Sequence, residues 1–190
     1  MIKYAIVGNI ASGKSEMEKV LEEHNFVVLD TDLITHDILI DRPNVAQAFS
    51  DYDVFEYGKL SKDKLGKLVF SRPELKEKLE SIVHPLILEE LKSAFKVYSD
   101  EPFLFVSVPL LYEAGWEKIF DKTIFIKADD ECRLNRLITR NGYSLDYAKT
   151  RINSQQSQAE KVDKSDYVIE NNGTKDEFRQ KIEEFIKSIS

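Results

Sequence analysis

Short runs rich in β-branched and aromatic residues recur at 4–7, 27–29, 103–108, 123–126 and 167–169, each followed by a longer segment whose apolar positions keep helical spacing. That alternation predicts parallel strands joined by helical crossovers. The run at 103–108 is almost continuously apolar, as expected of a strand covered on both faces. The fold class is therefore α/β, a three-layer sandwich with a parallel sheet between helices. The last helix places Phe178, Ile182, Phe185, Ile186 and Ile189 on one stripe. Ser71-Arg-Pro-Glu74 and Thr174-Lys-Asp-Glu177 both read as capping boxes that start helices, the first with Pro73 in its opening turn.

Strand signals thin out over about 33–98, where Leu65, Leu68, Val69, then Leu75, Leu79, Ile82, then Leu86, Leu88 and Leu91 hold helical spacing. This predicts a helical insertion on the sheet. His84-Pro85 sits inside it, and the proline biases His84 towards an extended backbone, so a kink between two helices is expected there. The stretch 131–161 is helical and polar and is broken at Asn141-Gly142, where a glycine suits a left-handed helix stop. It reads as a mobile helical hairpin, a lid. With no repeat and no Gly/Ser/Pro-rich linker, residues 1–190 are taken as a single domain carrying this insertion and this lid.

Composition narrows the function classes. A net charge of -7 disfavours non-specific binding to nucleic acid or to an anionic membrane, so any anionic ligand must be met by a local cluster of donors. The single cysteine, Cys132, excludes an intrachain disulfide, and three scattered histidines give no zinc-ligand spacing. The N-terminal apolar run is too short for a signal peptide, and the run from Phe103 to Leu111 is too short to span a bilayer. A cytoplasmic protein with no obligate protein partner is expected.

The chemistry concentrates at Gly8-Asn9-Ile10-Ala11-Ser12-Gly13-Lys14-Ser15, which fits G-x-x-x-x-G-K-[ST] and falls between the first strand and a helix. Glycines let the backbone wrap so that N–H groups and a helix N-terminus meet phosphate oxygens. Lys14 would neutralise the β- and γ-phosphates and Ser15 would ligate Mg²⁺, so ATP and Mg²⁺ are the expected cofactors. Ala11 lies inside this loop, and a non-glycine residue there requires that the backbone avoid positive φ or tolerate strain. Asp30-Thr31-Asp32 follows the second strand, where doubly wound sheets bind ligands. Strand alternation would point Asp30 and Asp32 the same way, with Asp32 as a candidate base or metal holder and Asp30 or Thr31 as a helix cap. In the lid, Arg133, Arg136 and Arg140 share one helical face, and with Lys149 and Arg151 against Asp146 they make 133–151 net +4. Such a patch suits a transferring phosphoryl group. Asp63-Lys-Leu-Gly66 matches D-x-x-G but lies in a helical pattern, and it reads as chance.

The constellation resembles the dephospho-coenzyme A kinase family. The resemblance rests on Gly8 to Ser15, Asp30-Thr31-Asp32, Gly58 through Val69-Phe70, His84-Pro85, Val108-Pro109-Leu110-Leu111-Tyr112-Glu113, Arg140-Asn141, Arg151 to Gln155, and Ser165 to Gly173. It departs at Asn9, Ala11, Glu16, Ser61-Lys62, Asn141, His36 and Ser107. The resemblance implies a P-loop kinase-type sheet and ATP-dependent phosphorylation of the ribose 3′-hydroxyl of dephospho-coenzyme A. It implies Asp32 as base, and Lys14, Arg136 and Arg140 as stabilisers of the transferred group. The nucleotide would lie on Gly8 to Glu16 and on Asn171, Asn172 and Gly173. The coenzyme precursor would meet the insertion and His84, with Leu111 and Glu113. From the residues alone, a nucleoside monophosphate-type kinase and a non-catalytic nucleotide-binding regulator stay open.

Overall fold

The computed structural model describes residues 1–189. In chain order the elements are β1 (Ile2–Gly8), α1 (Lys14–Glu23), β2 (Val27–Asp30), α2 (Thr31–Asp41), α3 (Pro43–Ala48), β3 (Phe55–Glu56), β4 (Lys59–Leu60), α4 (Lys62–Ser71) and α5 (Pro73–Val97). They continue with β5 (Phe103–Ser107), a 3₁₀ turn (Glu117–Ile119), β6 (Lys122–Lys127), α6 (Asp130–Asn141), α7 (Leu145–Asn153), α8 (Gln158–Asp163), β7 (Tyr167–Glu170) and α9 (Lys175–Ile189). No helix among the described residues is long and apolar enough to cross a membrane.

The chain divides into two compact units, one covering Met1–Leu29 and resuming at Asp100, the other Asp30–Ser99. In the first, the sheet runs β2-β5-β1-β6-β7, with β1 parallel to both neighbours and β6 parallel to β7. Ala5, Ile6 and Val7 on β1 are fully buried, so the central strand is covered on both faces. The core joins Tyr4, Ile6, Met17, Phe105, Ile124 and Phe178. Tyr4 stacks on Phe105 with centroids 5.0 Å apart and meets Phe185 edge-on at 6.0 Å, which ties α9 to the sheet. The apolar stripe of α9 is buried at Phe178, Ile182, Phe185 and Ile186. Its capping box is complete: Thr174 N–H donates to Glu177 Oε2 at 2.7 Å, and Glu177 N–H donates to Thr174 Oγ1 at 3.2 Å.

Three local expectations are corrected. No long helix follows β5: Val108 N–H extends the ladder to Ile6, and the chain then turns through Pro109 and Gly115 (φ 68°) to the 3₁₀ turn. Ser71 is the last residue of α4 and bonds back to Leu68 O at 2.9 Å, so α5 starts on Pro73 with no side-chain cap. The second unit contains no kink into two helices at His84-Pro85. α5 runs unbroken through Pro85, because Leu75, Val83, Ile87 and Leu91 form one buried stripe across it. That packing offsets the ~3 kcal/mol an interior proline costs. The second unit also holds a β3-β4 hairpin, turned at Tyr57 (φ 50°) and Gly58 (φ 77°).

Candidate functional site

The loop between β1 and α1 is shaped by its glycines. A Cβ on Gly8 would lie 2.4 Å from Ser12 Oγ, and one on Gly13 (φ 112°) would lie 2.3 Å from Asn171 Nδ2. Ala11 adopts φ 60°, so of the two possibilities the sequence allowed, the strained one is realised. Ser12 N–H turns back to Asn9 O at 3.0 Å, and Gly13 O receives Glu16 N–H, which starts α1. Lys14 Nζ folds over the loop to Gly8 O at 3.3 Å. Ser15, one residue further on, is exposed. Ser12 Oγ is buried with no hydrogen-bond partner in the structure.

The loop is braced by segments far along the chain. Arg136 Nη1 donates to Ala11 O at 3.2 Å, and Arg136 Nη2 donates to Asn171 O at 2.8 Å and Asn171 Oδ1 at 3.0 Å. Asn171 Nδ2 in turn donates to Ser12 O at 2.7 Å. Ile10 N–H donates to Gln155 Oε1 at 2.8 Å, and Asn9 Nδ2 donates to Gln156 O at 3.0 Å. Two loop carbonyls, Ala11 O and Ser12 O, are thus engaged by outside donors, while Asn9 and Ile10 donate to the segment after α7. Leu137, Ala148 and Ile152 of α6 and α7 form a small core on which Ile10 and Ala11 pack, so the helical hairpin rests on the loop. Gly142 stops α6 at φ 67°, as its sequence implied.

The three arginines of α6 differ in task. Arg133 is 2% exposed, with Nη2 on Asp130 at 2.6 Å. Arg136 is committed to the carbonyls above. Arg140 is exposed, with Nε 3.4 Å from Asn141 Oδ1, and borders a cavity of about 300 Å³. That cavity also meets Gly13, Glu16, Asn171, Gly173 and Phe178. Asn172 Oδ1 accepts Asp129 N–H at 2.8 Å, fixing the turn after β7 to the start of α6. Burial pushes the Glu16 carboxyl up, but hydrogen bonds from Lys175 and Arg179 outweigh it and hold the group below its ordinary range.

Other expected residues are placed differently. Leu111 is fully buried, so its side chain packs the core and offers no surface to a substrate. Glu113 pairs with Lys161 at 2.7 Å, and Lys161 is itself buried. In the second unit, Asp32 lies in the first turn of α2, not on a strand, so strand alternation does not relate it to Asp30. Asp30 is the cap, accepting Asp32 N–H at 2.7 Å. Asp32 is exposed and His84 half-buried in mid-α5. Asp63 and Gly66 lie inside α4, so the D-x-x-G match is a chance one. Among the described residues no group of three or more His, Cys, Asp or Glu could hold a metal. Sequence reasoning missed the side-chain network of Glu16, Lys175, Arg179 and Glu23. The four-residue spacing of Lys175 and Arg179 on α9 was the signal available.

A braced glycine loop, a lysine folded over it and an arginine-bearing helical hairpin resting on it are parts that phosphoryl transfer uses. The family model of dephospho-CoA kinase matches residues 2–177, taking in the loop, the lid and the 171–173 turn. The chain belongs to the dephospho-CoA kinase family. A dephospho-CoA kinase of Fusobacterium nucleatum is 35% identical over 187 residues, covering 97% of this chain and 96% of its own length. One from Carboxydothermus hydrogenoformans is also 35% identical, covering 93% and 89%. Among solved structures, dephospho-CoA kinase from Campylobacter jejuni superposes with a TM-score of 0.78 at 30% identity, covering 99% of this chain and 96% of its own. Shikimate kinase from Aquifex aeolicus, at 18% identity and a TM-score of 0.53, shares the fold.

Proposed function

We propose that the protein transfers the terminal phosphoryl group of ATP to the ribose 3′-hydroxyl of dephospho-CoA, the last step in making coenzyme A. The observation that carries the acceptor is the family match over residues 2–177. The loop geometry supports the donor: Ser12 Oγ is a buried hydroxyl that a phosphate oxygen would satisfy, and Gly13 is needed where a Cβ would meet Asn171 Nδ2 on a left-handed backbone.

Lys14 sets its charge against the β- and γ-phosphates, and Arg140 meets the transferring group from the lid side of the cavity. Arg136 acts on the loop: by taking up Ala11 O and Asn171 O it keeps the cradle in shape. The hairpin packs on Ile10 and Ala11, which puts apolar surface beside the loop and would limit the access of water as a competing nucleophile. Asp32 takes the proton of the 3′-hydroxyl as its oxygen bonds to phosphorus and the bond from phosphorus to the bridging oxygen breaks, leaving ADP.

Mg²⁺ fits this donor set, because it keeps most of its waters and takes one or two protein ligands beside substrate phosphates, and Ser15 offers one hydroxyl at the helix start. When bound it would supply charge neutralisation to the transferring phosphoryl group. Ser107, buried at the end of β5, adds no carboxylate to that set.

The test is product analysis. Purified protein with Mg-ATP and dephospho-CoA forms coenzyme A and ADP in equal amounts, and a preference for a nucleoside monophosphate acceptor would overturn the reading.

A further inference from the structure

We propose that Glu16 selects the sugar of the phosphoryl donor, its carboxylate accepting a hydrogen bond from a ribose hydroxyl of ATP so that the site favours ribonucleotides over deoxyribonucleotides. The inference deepens the kinase reading and rests on it.

Glu16 borders the 300 Å³ cavity, where the other charged residues are Arg136, Arg140 and Lys175. It is the acid of that wall, a carboxylate beside a loop built to grip phosphate. Its position in the first turn of α1 favours negative charge through the helix dipole. Lys175 holds Oε2 at 2.9 Å and Arg179 holds Oε1 at 2.7 Å. These contacts cancel much of its repulsion towards an incoming polyphosphate and fix its direction. A carboxylate has about four acceptor sites, and these two contacts use two.

The remaining acceptor capacity is open to a donor from the ligand, because the Glu16 side chain keeps 19% exposure. Phosphates have none to offer at neutral pH, whereas the ribose hydroxyls and the base amine do. Connectivity decides between them. Glu16 stands two residues beyond Lys14, and the ribose is the part of the nucleotide joined directly to the phosphate chain, with the base amine at the far end. An acidic side chain that recognises a ribose hydroxyl is established chemistry in dinucleotide sites.

The experiment measures equilibrium binding of ATP, 2′-deoxy-ATP and 3′-deoxy-ATP to the full chain by calorimetry, without acceptor, alongside kcat/KM for each donor. The wild type is expected to bind ATP about tenfold or more tighter than at least one deoxy analogue, the size of one hydrogen bond to a charged group. Glu16→Thr, and the isosteric Glu16→Gln as a variant of unchanged shape, should narrow that gap to within about twofold. Lys175→Ala should keep it, because Arg179 still holds the carboxylate. Equal wild-type binding of all three nucleotides, or an unchanged gap in both Glu16 variants, would overturn the assignment and leave the kinase reading intact. A chain that bound none of the three would overturn both.

Discussion

Arg136 places Nη2 2.8 Å from the main-chain oxygen of Asn171 and 3.0 Å from its side-chain oxygen, while the amide nitrogen of Asn171 reaches Ser12 O at 2.7 Å. Lid helix, post-strand turn and phosphate loop are thus joined through one guanidinium and one amide. The family resemblance implies a role for this arginine on the transferred phosphoryl group, whereas here its Nη1 and Nη2 bond to protein carbonyls.

Replacing Arg136 by Lys should therefore injure the loop itself. A lysine cannot reproduce a planar fork of donors, and the freed carbonyls would oppose the charge of a polyphosphate bound on the loop. We expect the KM for ATP to rise at least tenfold with kcat falling too, together with a stability loss of about 1–3 kcal/mol for the unmet buried groups. Urea unfolding and steady-state kinetics read both, and wild-type KM with an isolated fall in kcat would instead place Arg136 on the reacting phosphate.

Asp32→Asn should lower turnover by ~10²-fold or more, the scale of a positioned general base, while ATP binding stays within about twofold. Asn at this position is still able to end α2's first turn, because the cap belongs to Asp30. Calorimetric ATP affinity alongside kcat checks the split.

Gly13→Ala is expected to abolish tight nucleotide binding and to lower stability by about 1–3 kcal/mol. The new methyl would need both a left-handed backbone and the space held by Asn171 Nδ2. Pairing it with Asn171→Ala should recover stability only in part, because the φ of 112° remains. Thermal melting of the single and double variants decides this.

The acid limb of stability should trace to carboxylates bound in the folded state. For Asp166, burial pushes the carboxyl up, but hydrogen bonds from Lys122 and Thr123 outweigh that and hold it below its usual range. A depressed folded value means the unfolded chain binds the proton first as pH falls. The stabilisation is therefore complete above the ordinary carboxylate range near pH 4 and is lost as pH drops through the lower folded value. Asp166→Asn should destabilise the protein at pH 7 and flatten the decline in the urea midpoint below about pH 4. A parallel decline in the variant would refute the link.

The sheet was legible because its strands carry their own signature: a continuous apolar run such as Phe103 to Val106 has few other ways to bury itself. The phosphate loop was legible for a similar reason, since Gly8 and Gly13 sit where a Cβ would collide. α5 was not, because a rule about the residue before proline is local while the stripe from Leu75 to Leu91 that overrides it spans 17 residues. Two-residue strands such as β3 and β4 leave no period to read. The roles of Arg136 and Glu16 depend on partners 35 and 163 residues away, Asn171 and Arg179, and no spacing rule reaches that far.

Lys161 keeps an ammonium group at 1% exposure against Glu113. Losing Glu113 would strand the Lys161 ammonium away from water, at about 3–5 kcal/mol, whereas exchanging both for a matched neutral pair can be nearly without effect. The two positions are thus epistatic: while Lys161 stands, a library that randomises position 113 should return an acid, and neutral solutions there should surface only when position 161 is varied with it.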